Sequence, residues 1–312
     1  METLKGPILL TGGTGFVGSH LARALVKGGQ DVHLVVRKGA DTFRLADILS
    51  KVTVHTGSLS EKAEVERIVQ EVKPTGIFHL AAQTIIPGTP AVSSEVIASN
   101  FVGTVNLLEA LANIPYTFFI QSGTFLEYKP LLRPMKEDDL CEPKEVYGLT
   151  KLAATLYGKM IADTKGKPVT TFRFFTPYGP AIQKAKLVEQ TIKNALSNKA
   201  IFLTRGSVSR DFLYTDDLVE LLINAAENID KVKGGIFNAG SGQKTSLGEF
   251  AELVVKLTGS KSKIILQPEK ASVYDSDFWQ ADMTKTFSAL SWRPKTSLEA
   301  GLQLTIDDLK KS

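Results

Sequence analysis

Cysteine is almost missing from this 312-residue chain. The single Cys141 excludes an internal disulfide and a paired-thiolate zinc site, which fits a reducing compartment. Histidine is scarce as well. His20, His33, His55 and His79 fall in predicted helices or strands without metal-ligand spacing, so they are read as structural and no metal is expected. No apolar run approaches the length of a membrane span, and no membrane partner is implied. Like charges form no block: 37 Lys and Arg face 33 Asp and Glu, and the net charge of +4 is spread along the chain, so nucleic acid is not implied either. Repeats and low-complexity stretches are absent. The opening Met1-Glu2-Thr3-Leu4-Lys5-Gly6-Pro7 leads straight into an apolar run and leaves no room for a signal peptide, so a cytoplasmic protein is expected. With 43% hydrophobic and 22% charged residues the composition is that of an ordinary globular protein, and the length calls for one large α/β unit or two coupled domains.

What the chain does have is a glycine-rich turn near its start, Gly12-Gly13-Thr14-Gly15-Phe16-Val17-Gly18. It follows the apolar Ile8-Leu9-Leu10 and opens a segment of helical period, Phe16, Val17, His20, Leu21, Ala24, Leu25. A turn between a strand and a helix is where a dinucleotide pyrophosphate binds. The anion needs backbone N–H donors at close range, a Cβ would hold it off, and the helix start adds partial positive charge. Gly12, Thr14, Gly15, Phe16, Val17 and Gly18 are therefore candidate cofactor-binding residues.

Apolar runs at 8–11, 32–36, 52–55, 77–81, 117–121 and 169–175 alternate with predicted helices at about 15–28, 41–49, 60–72, 94–113 and 146–164. Such alternation predicts a doubly wound parallel sheet with helices on both faces, and its ligands lie beyond the C-terminal strand ends. Beyond Pro177, Gly179 and Pro180 the pattern loosens. Helices are expected at about 183–198, from a Thr215 N-cap, after the Ser246-Leu247-Gly248-Glu249 capping box, and near 284–290 and 297–310, with a short strand at 236–240.

The second strand ends in Val36-Arg37-Lys38. An NAD binder is expected to carry a carboxylate near Val36 for the adenosine ribose, whereas a guanidinium there can clamp a 2′-phosphate. Arg37, with Lys38 as a second contact, favours NADP(H) and leaves NAD(H) open; both are also simply the solvated end of a strand. Tyr147 and Lys151 lie four apart, on one face of a predicted helix. A cation beside a phenol favours the phenolate and brings the group toward useful acid–base chemistry. The fifth strand ends in Ser122-Gly123-Thr124, whose hydroxyls would face the ligand crevice, although such residues are also frequent turn formers.

At this point the chain resembles the extended short-chain dehydrogenase/reductase family, in its branch of NAD(P)-dependent sugar-nucleotide epimerases, dehydratases and reductases. The matching segments are Gly12, Gly15 and Gly18 of the turn; His79-Leu80-Ala81-Ala82; Asn100 to Glu109; Thr124, placed four residues before Tyr128; Tyr147 and Lys151; Tyr178-Gly179-Pro180; Arg210 to Asp217; and Asp282, Lys285, Trp292 and Pro294. The resemblance implies a Rossmann-type NADP-binding domain over 1–175, to which the chain returns at about 206–240. A smaller, mostly helical substrate-binding domain is implied over 176–205 and 241–312. It implies Thr124, Tyr147 and Lys151 as catalytic residues. Ser58, Leu59, Leu80, Ala81, Ala82, Asn100, Ser122, Tyr147 and Lys151 join the cofactor contacts, Gln83, Thr124, Thr176 and Arg210 touch substrate, and a homodimer pairs the helices at 94–113 and 146–164.

The chain also departs from the family pattern. Ser58 replaces an acidic adenine contact, Thr176 an Asn, and Ser272 an Arg that grips the diphosphate. Phe125-Leu126 stand where a 4,6-dehydratase carries acids. With Arg37, these differences lead to an expected NADPH-dependent reductase of a nucleotide-activated 4-keto-6-deoxy sugar. A 4-epimerase with bound NAD(P), a reductase of a non-nucleotide carbonyl and a non-catalytic cofactor-binding protein are the alternatives.

Overall fold

The computed structural model describes residues 4–84, 93–271 and 275–311. Its first half is built on β1 (Pro7–Thr11), α1 (Phe16–Lys27), β2 (Asp31–Val36), β3 (Thr53–Thr56), α2 (Lys62–Val72), β4 (Gly76–His79), α3 (Ser93–Ile97), α4 (Gly103–Ala110), β5 (Phe118–Thr124), α5 (Val146–Lys165) and β6 (Val169–Phe174). The strands, with β11 (Ile236–Ala239) from later in the chain, form a seven-stranded parallel sheet ordered β11-β6-β5-β4-β1-β2-β3. The absence of polar/apolar alternation follows from period-two geometry in a sheet covered twice. Ile8 and Leu10 enter one core with Leu34, Phe78 and Ile120. Leu9 enters the core on the other face with Val35, Ile77 and Phe119. Each such side chain contributes about 1.5–3 kcal/mol by leaving water.

The chain continues as β7 (Thr176–Tyr178), α6 (Leu187–Leu196), β8 (Ile201–Leu203), β9 (Ser209–Arg210), β10 (Phe212–Tyr214), α7 (Thr215–Glu227), α8 (Ile229–Val232), β11 (Ile236–Ala239), β12 (Thr245–Ser246), α9 (Leu247–Thr258), β13 (Ile264–Leu266), α10 (Thr284–Ala289) and α11 (Leu298–Leu309). A separate core gathers Tyr178, Ile192, Phe212, Phe250, Leu302 and Ile306, with Phe212 and Phe250 stacked 4.7 Å apart. Trp279, Leu290 and Trp292 instead pack on the core of the main sheet.

Several local expectations change. The predicted helix at 41–49 is two 3₁₀ turns, Phe43–Leu45 and Leu49–Lys51, because its backbone bonds run only from i+3 to i, as in Leu45 N–H to Thr42 O and Ile48 N–H to Leu45 O. Thr215 is not the N-cap of α7. Tyr214 takes that place, and the Thr215 hydroxyl donates to Tyr178 O at 2.8 Å. The helix at 94–113 is broken by a π-helical stretch, Ala98–Val102. Its Leu107, Leu108 and Leu111 are buried in the chain's own core and are unavailable to a partner. The Ser246–Glu249 capping box forms as expected, with Ser246 Oγ accepting from Glu249 N–H and Glu249 Oε2 from Ser246 N–H. Ser272 and Met1 to Thr3 lie outside the described residues. Among the described residues no helix is long and apolar enough to cross a membrane.

The strand order reverses between β1 and β4, and the crevice at their C-terminal ends is where such a sheet takes its ligand. Its floor is tied together by buried polar groups. Leu80 N–H donates to Thr11 O at 3.1 Å, and Thr11 Oγ1 and His79 Nδ1 are 2.7 Å apart. His79 Nε2 meets Thr104 Oγ1 at 2.9 Å. Burial, with Lys151 adding to it, pulls the His79 pKa down to about 3, so the imidazole is a neutral structural link.

Candidate active site

A cleft of about 440 Å³ opens over that crevice. Gly12, Thr14, Gly15, Arg37, Ser58, Leu59, Leu80, Ala81, Ala82 and Gln83 line it, together with Ser60, Glu95 and Ser99, which the sequence reading did not single out. Glycine is required in the turn on two counts. Gly12 has φ +76°, and a Cβ on it would sit 2.6 Å from Ala81 N. A Cβ on Gly18 would lie 2.1 Å from Gly12 O. Without side chains there, β1, β4 and the start of α1 close together.

No side chain caps α1 at Gly15, so the first-turn N–H groups keep the donor capacity of a bare helix start. The side chains of Phe16 and Val17 pack on the second core and the main-sheet core, respectively, and do not line the cleft. A phosphate-bearing dinucleotide fits this cradle of uncapped donors and absent Cβ atoms.

Arg37 is exposed and lines the cleft, while Val36 is buried. Lys38 is exposed and outside the lining, so it is not placed as a second clamp. Ser58 N–H donates to Glu64 Oε2 at 2.6 Å, and the Ser58 and Ser60 hydroxyls are 2.8 Å apart. Asn100 is also outside the lining. Its amide accepts from Gln83 N–H at 2.7 Å and donates to Gln83 O at 3.1 Å and Thr150 Oγ1 at 3.2 Å. It therefore acts through Gln83, and the π-helical stretch that carries it faces α5.

The reactive cluster lies where α5 passes the end of β5. Glu145 caps the helix by accepting from Gly148 N–H at 3.0 Å. A Cβ on Gly148 would sit 2.5 Å from Leu126 O, so this glycine lets the first turn of α5 lie against the turn that follows Thr124. The Thr124 hydroxyl is then near enough to the Tyr147 phenol to favour its ionised form. Thr124 Oγ1 accepts from Leu126 N–H at 3.3 Å, which leaves its proton to be donated. One turn further, buried Lys151 donates to Ser122 Oγ at 3.1 Å. Burial pulls the Lys151 ammonium down to about 8, opposed by Glu127.

The expectation that Lys151 lowers the Tyr147 pKa is reversed. Burial pushes the phenol up, Glu127 and Glu145 add to the rise, and the Thr124 hydrogen bond works against it. Tyr147 is thus held as a neutral phenol, a form suited to giving a proton.

Arg210 is not paired with Asp211 or Asp216. Asp211 accepts from the N–H groups of Ser241, Gly242 and Ala281, and Asp216 meets His20 Nδ1 at 2.8 Å. The Arg210 guanidinium lies 5.9 Å from the centre of the Phe125 ring, next to the turn that carries Thr124. Burial pulls its pKa down to about 10, with Asp275 opposing. Thr176 Oγ1 is buried without a hydrogen-bond partner. A groove of about 560 Å³ runs between α1 and α7, lined by His20 and Asp216 but by none of Thr124, Tyr147, Lys151, Thr176 and Arg210.

Comparison with known proteins follows the same lines. A model described as the NAD dependent epimerase/dehydratase family matches residues 8–240. The chain is 32% identical to UDP-N-acetyl-alpha-D-glucosaminuronate decarboxylase of Bacillus cytotoxicus, with 97% of each covered. It is similar to UDP-glucose 4-epimerase from Thermotoga maritima, solved with UDP-glucose, at a TM-score of 0.89 and 27% identity over 98% of this chain and 99% of that one. It is also similar to UDP-glucuronic acid 4-epimerase from Bacillus cereus, solved with UDP-glucuronic acid and NAD, at 0.88 and 26% with the same coverage.

Proposed function

The chain belongs to the NAD dependent epimerase/dehydratase family, and on that premise we propose that it reduces the keto carbon of a nucleotide-activated 4-keto-6-deoxy sugar with NADPH. The observation that carries this reading is the cluster of Thr124, Tyr147 and Lys151 where α5 passes the end of β5, the strand next to β4, whose continuation Leu80 to Gln83 lines a cleft that also bears Arg37 and no carboxylate at Val36.

A nicotinamide dinucleotide bound in the cleft supplies the hydride. Tyr147 then gives its phenolic proton to the oxygen of the reduced carbon, while the Thr124 hydroxyl donates to the same oxygen as negative charge grows on it. Lys151 stabilises the phenolate that remains and, released from Ser122, contacts the nicotinamide ribose. Arg37 holds the 2′-phosphate. Arg210 and Thr176 reach the nucleotide sugar, which the segments 176–205 and 241–312 cover. Two copies pair through the exposed Ile97, Val102, Leu149, Leu156 and Met160.

Dehydration has no acid to carry it, since Phe125 and Leu126 follow Thr124 and the next carboxylate, Glu127, is fully buried against Arg173. A second reading is a 4-epimerase that retains its dinucleotide. The two UDP-sugar 4-epimerases solved with their ligands favour it, because inverting a carbinol carbon uses the same three side chains. NADPH oxidation on a panel of 4-keto-6-deoxy nucleotide sugars tests the choice. Steady consumption supports the reductase. Dinucleotide released only on denaturation, with none consumed, supports the epimerase.

A further inference from the structure

Directly behind the reactive cluster lies an ion pair that its chemistry has not yet used. Glu127 and Arg173 are 0% and 2% exposed, with Arg173 Nε donating to Glu127 Oε2 at 2.7 Å. The other carboxylate oxygen, Oε1, accepts from Thr124 N–H at 2.9 Å and from Thr155 Oγ1 of α5 at 3.1 Å. One buried carboxylate therefore holds the backbone of Thr124 at the end of β5, the helix that carries Tyr147 and Lys151, and a cation from β6. Arg173 is fixed in turn. Its Nη1 donates to Glu137 O at 2.9 Å, its Nη2 to Cys141 Sγ at 3.2 Å, and its guanidinium lies 4.4 Å over the Tyr128 ring.

A buried pair of this kind is weak as a device for stability, because the cost of desolvating two ions offsets much of their attraction. Its placement suits another role. We propose that Glu127, held by Arg173, is a positioning residue that sets the reactive cluster for proton donation. It fixes Thr124 and places a negative charge behind Tyr147 and Lys151, so both keep their protons until substrate arrives. This rests on reading Tyr147 as the proton donor.

The charged and titratable groups facing the cluster divide by element. Glu127 comes from the turn after β5, Glu145 from the cap of α5, Lys151 from α5 itself, His79 from β4, and Arg173 from β6, with Tyr128, Glu137 and Cys141 around Arg173. Glu127 and Glu145 push the Tyr147 phenol up, and Glu127 holds the Lys151 ammonium up against burial. Burial works against the Arg173 cation, and Glu127 more than reverses it.

The test measures the phenol itself. Tyr147 is replaced by 3,5-difluorotyrosine, whose fluorines lower its pKa into the range where a protein stays folded and report its charge by ¹⁹F resonance. In that protein Glu127→Gln, which keeps an acceptor for Thr124 N–H, should lower the phenol pKa by about one pH unit, the low end of what one nearby charge does. Adding Arg173→Gln should move it back up, because a cation is then lost. A contribution limited to packing would not produce opposite shifts from the two halves of one pair. The inference is overturned if folded E127Q leaves the phenol unmoved, or if the double variant shifts it further down. Should E127Q not fold alone, R173Q takes its place; a rise supports the inference, and no change or a fall overturns it. The resonance needs no substrate. Absence of turnover on every keto-sugar would remove the proposed reaction and leave this result standing.

Discussion

Lys151 Nζ lies 3.1 Å from Ser122 Oγ and joins the second turn of α5 to the end of β5. The contact keeps a nearly inaccessible ammonium at the end of β5. In the free protein burial depresses its pKa from 10.5 to about 8. Between those two values the unfolded chain binds a proton that the folded chain does not, so stability rises with pH across the window from about 8 to 10.5, and the cost of burial is complete below it. Lys151→Met should therefore raise the unfolding free energy at pH 7 by something on the order of 1–3 kcal/mol, less what the Ser122 contact returns, and the advantage should shrink above pH 8. Turnover and dinucleotide affinity should both fall. Denaturant unfolding at several pH values and calorimetric binding measure these effects, and a variant less stable at pH 7 than at pH 10, relative to the parent, would refute the assigned sign.

Tyr147→Phe removes the transferable proton and leaves the ring in place. Turnover should drop by about 10²–10⁴, with little change in melting temperature or in NADPH affinity. Thr124→Val, nearly isosteric, should lower kcat more than it raises KM, because its donor acts on charge that develops in the transition state. Steady-state kinetics on the best keto-sugar tests both.

Arg37→Asp should weaken NADP(H) binding more than tenfold, since charge-assisted contacts to a phosphate are worth about 1.5–3 kcal/mol. NAD(H) binding should change little. Titration calorimetry of both dinucleotides against both proteins reports this, and equal affinity of the parent for the two would remove the basis for NADP(H).

Leu156 and Met160 are 55% and 46% exposed on α5, and Leu149 of the same helix is 55% exposed. Leu156→Asp with Met160→Glu should convert a dimer to a monomer at micromolar concentration without unfolding it. Light scattering decides, and a monomeric parent protein would end the proposal.

The main sheet and its crevice were readable because their signals are local. Ile8 to Leu10, the glycines that follow them and the start of α1 are contiguous, and each successive strand repeats the pattern. Asn100 sits on a π-helical stretch and bonds to the backbone of Gln83, and no helical period foretells such a break. Lys38 stands beside Arg37 in the chain, but the lining of the cleft takes only one of the two. Glu127 was missed although Thr124 and Glu127 have capping-box spacing, which signals a short helical turn after β5. Its partner Arg173 lies on β6, 46 positions away, and only the parallel pairing of β5 with β6 brings them together. The raised Tyr147 phenol was equally hidden, because its main cause is burial and not any neighbour in the sequence.

Transfer of deuterium to a 4-keto-6-deoxy nucleotide sugar from one of the two [4-²H]NADPH diastereomers, each tried separately, tests the proposed reaction most directly. Reduction predicts one deuterium on the former keto carbon, one NADP⁺ formed per sugar, and both lost together in Tyr147→Phe. An epimerised sugar with no net oxidation of the dinucleotide, or a reduced sugar formed at full rate by Tyr147→Phe, would contradict it.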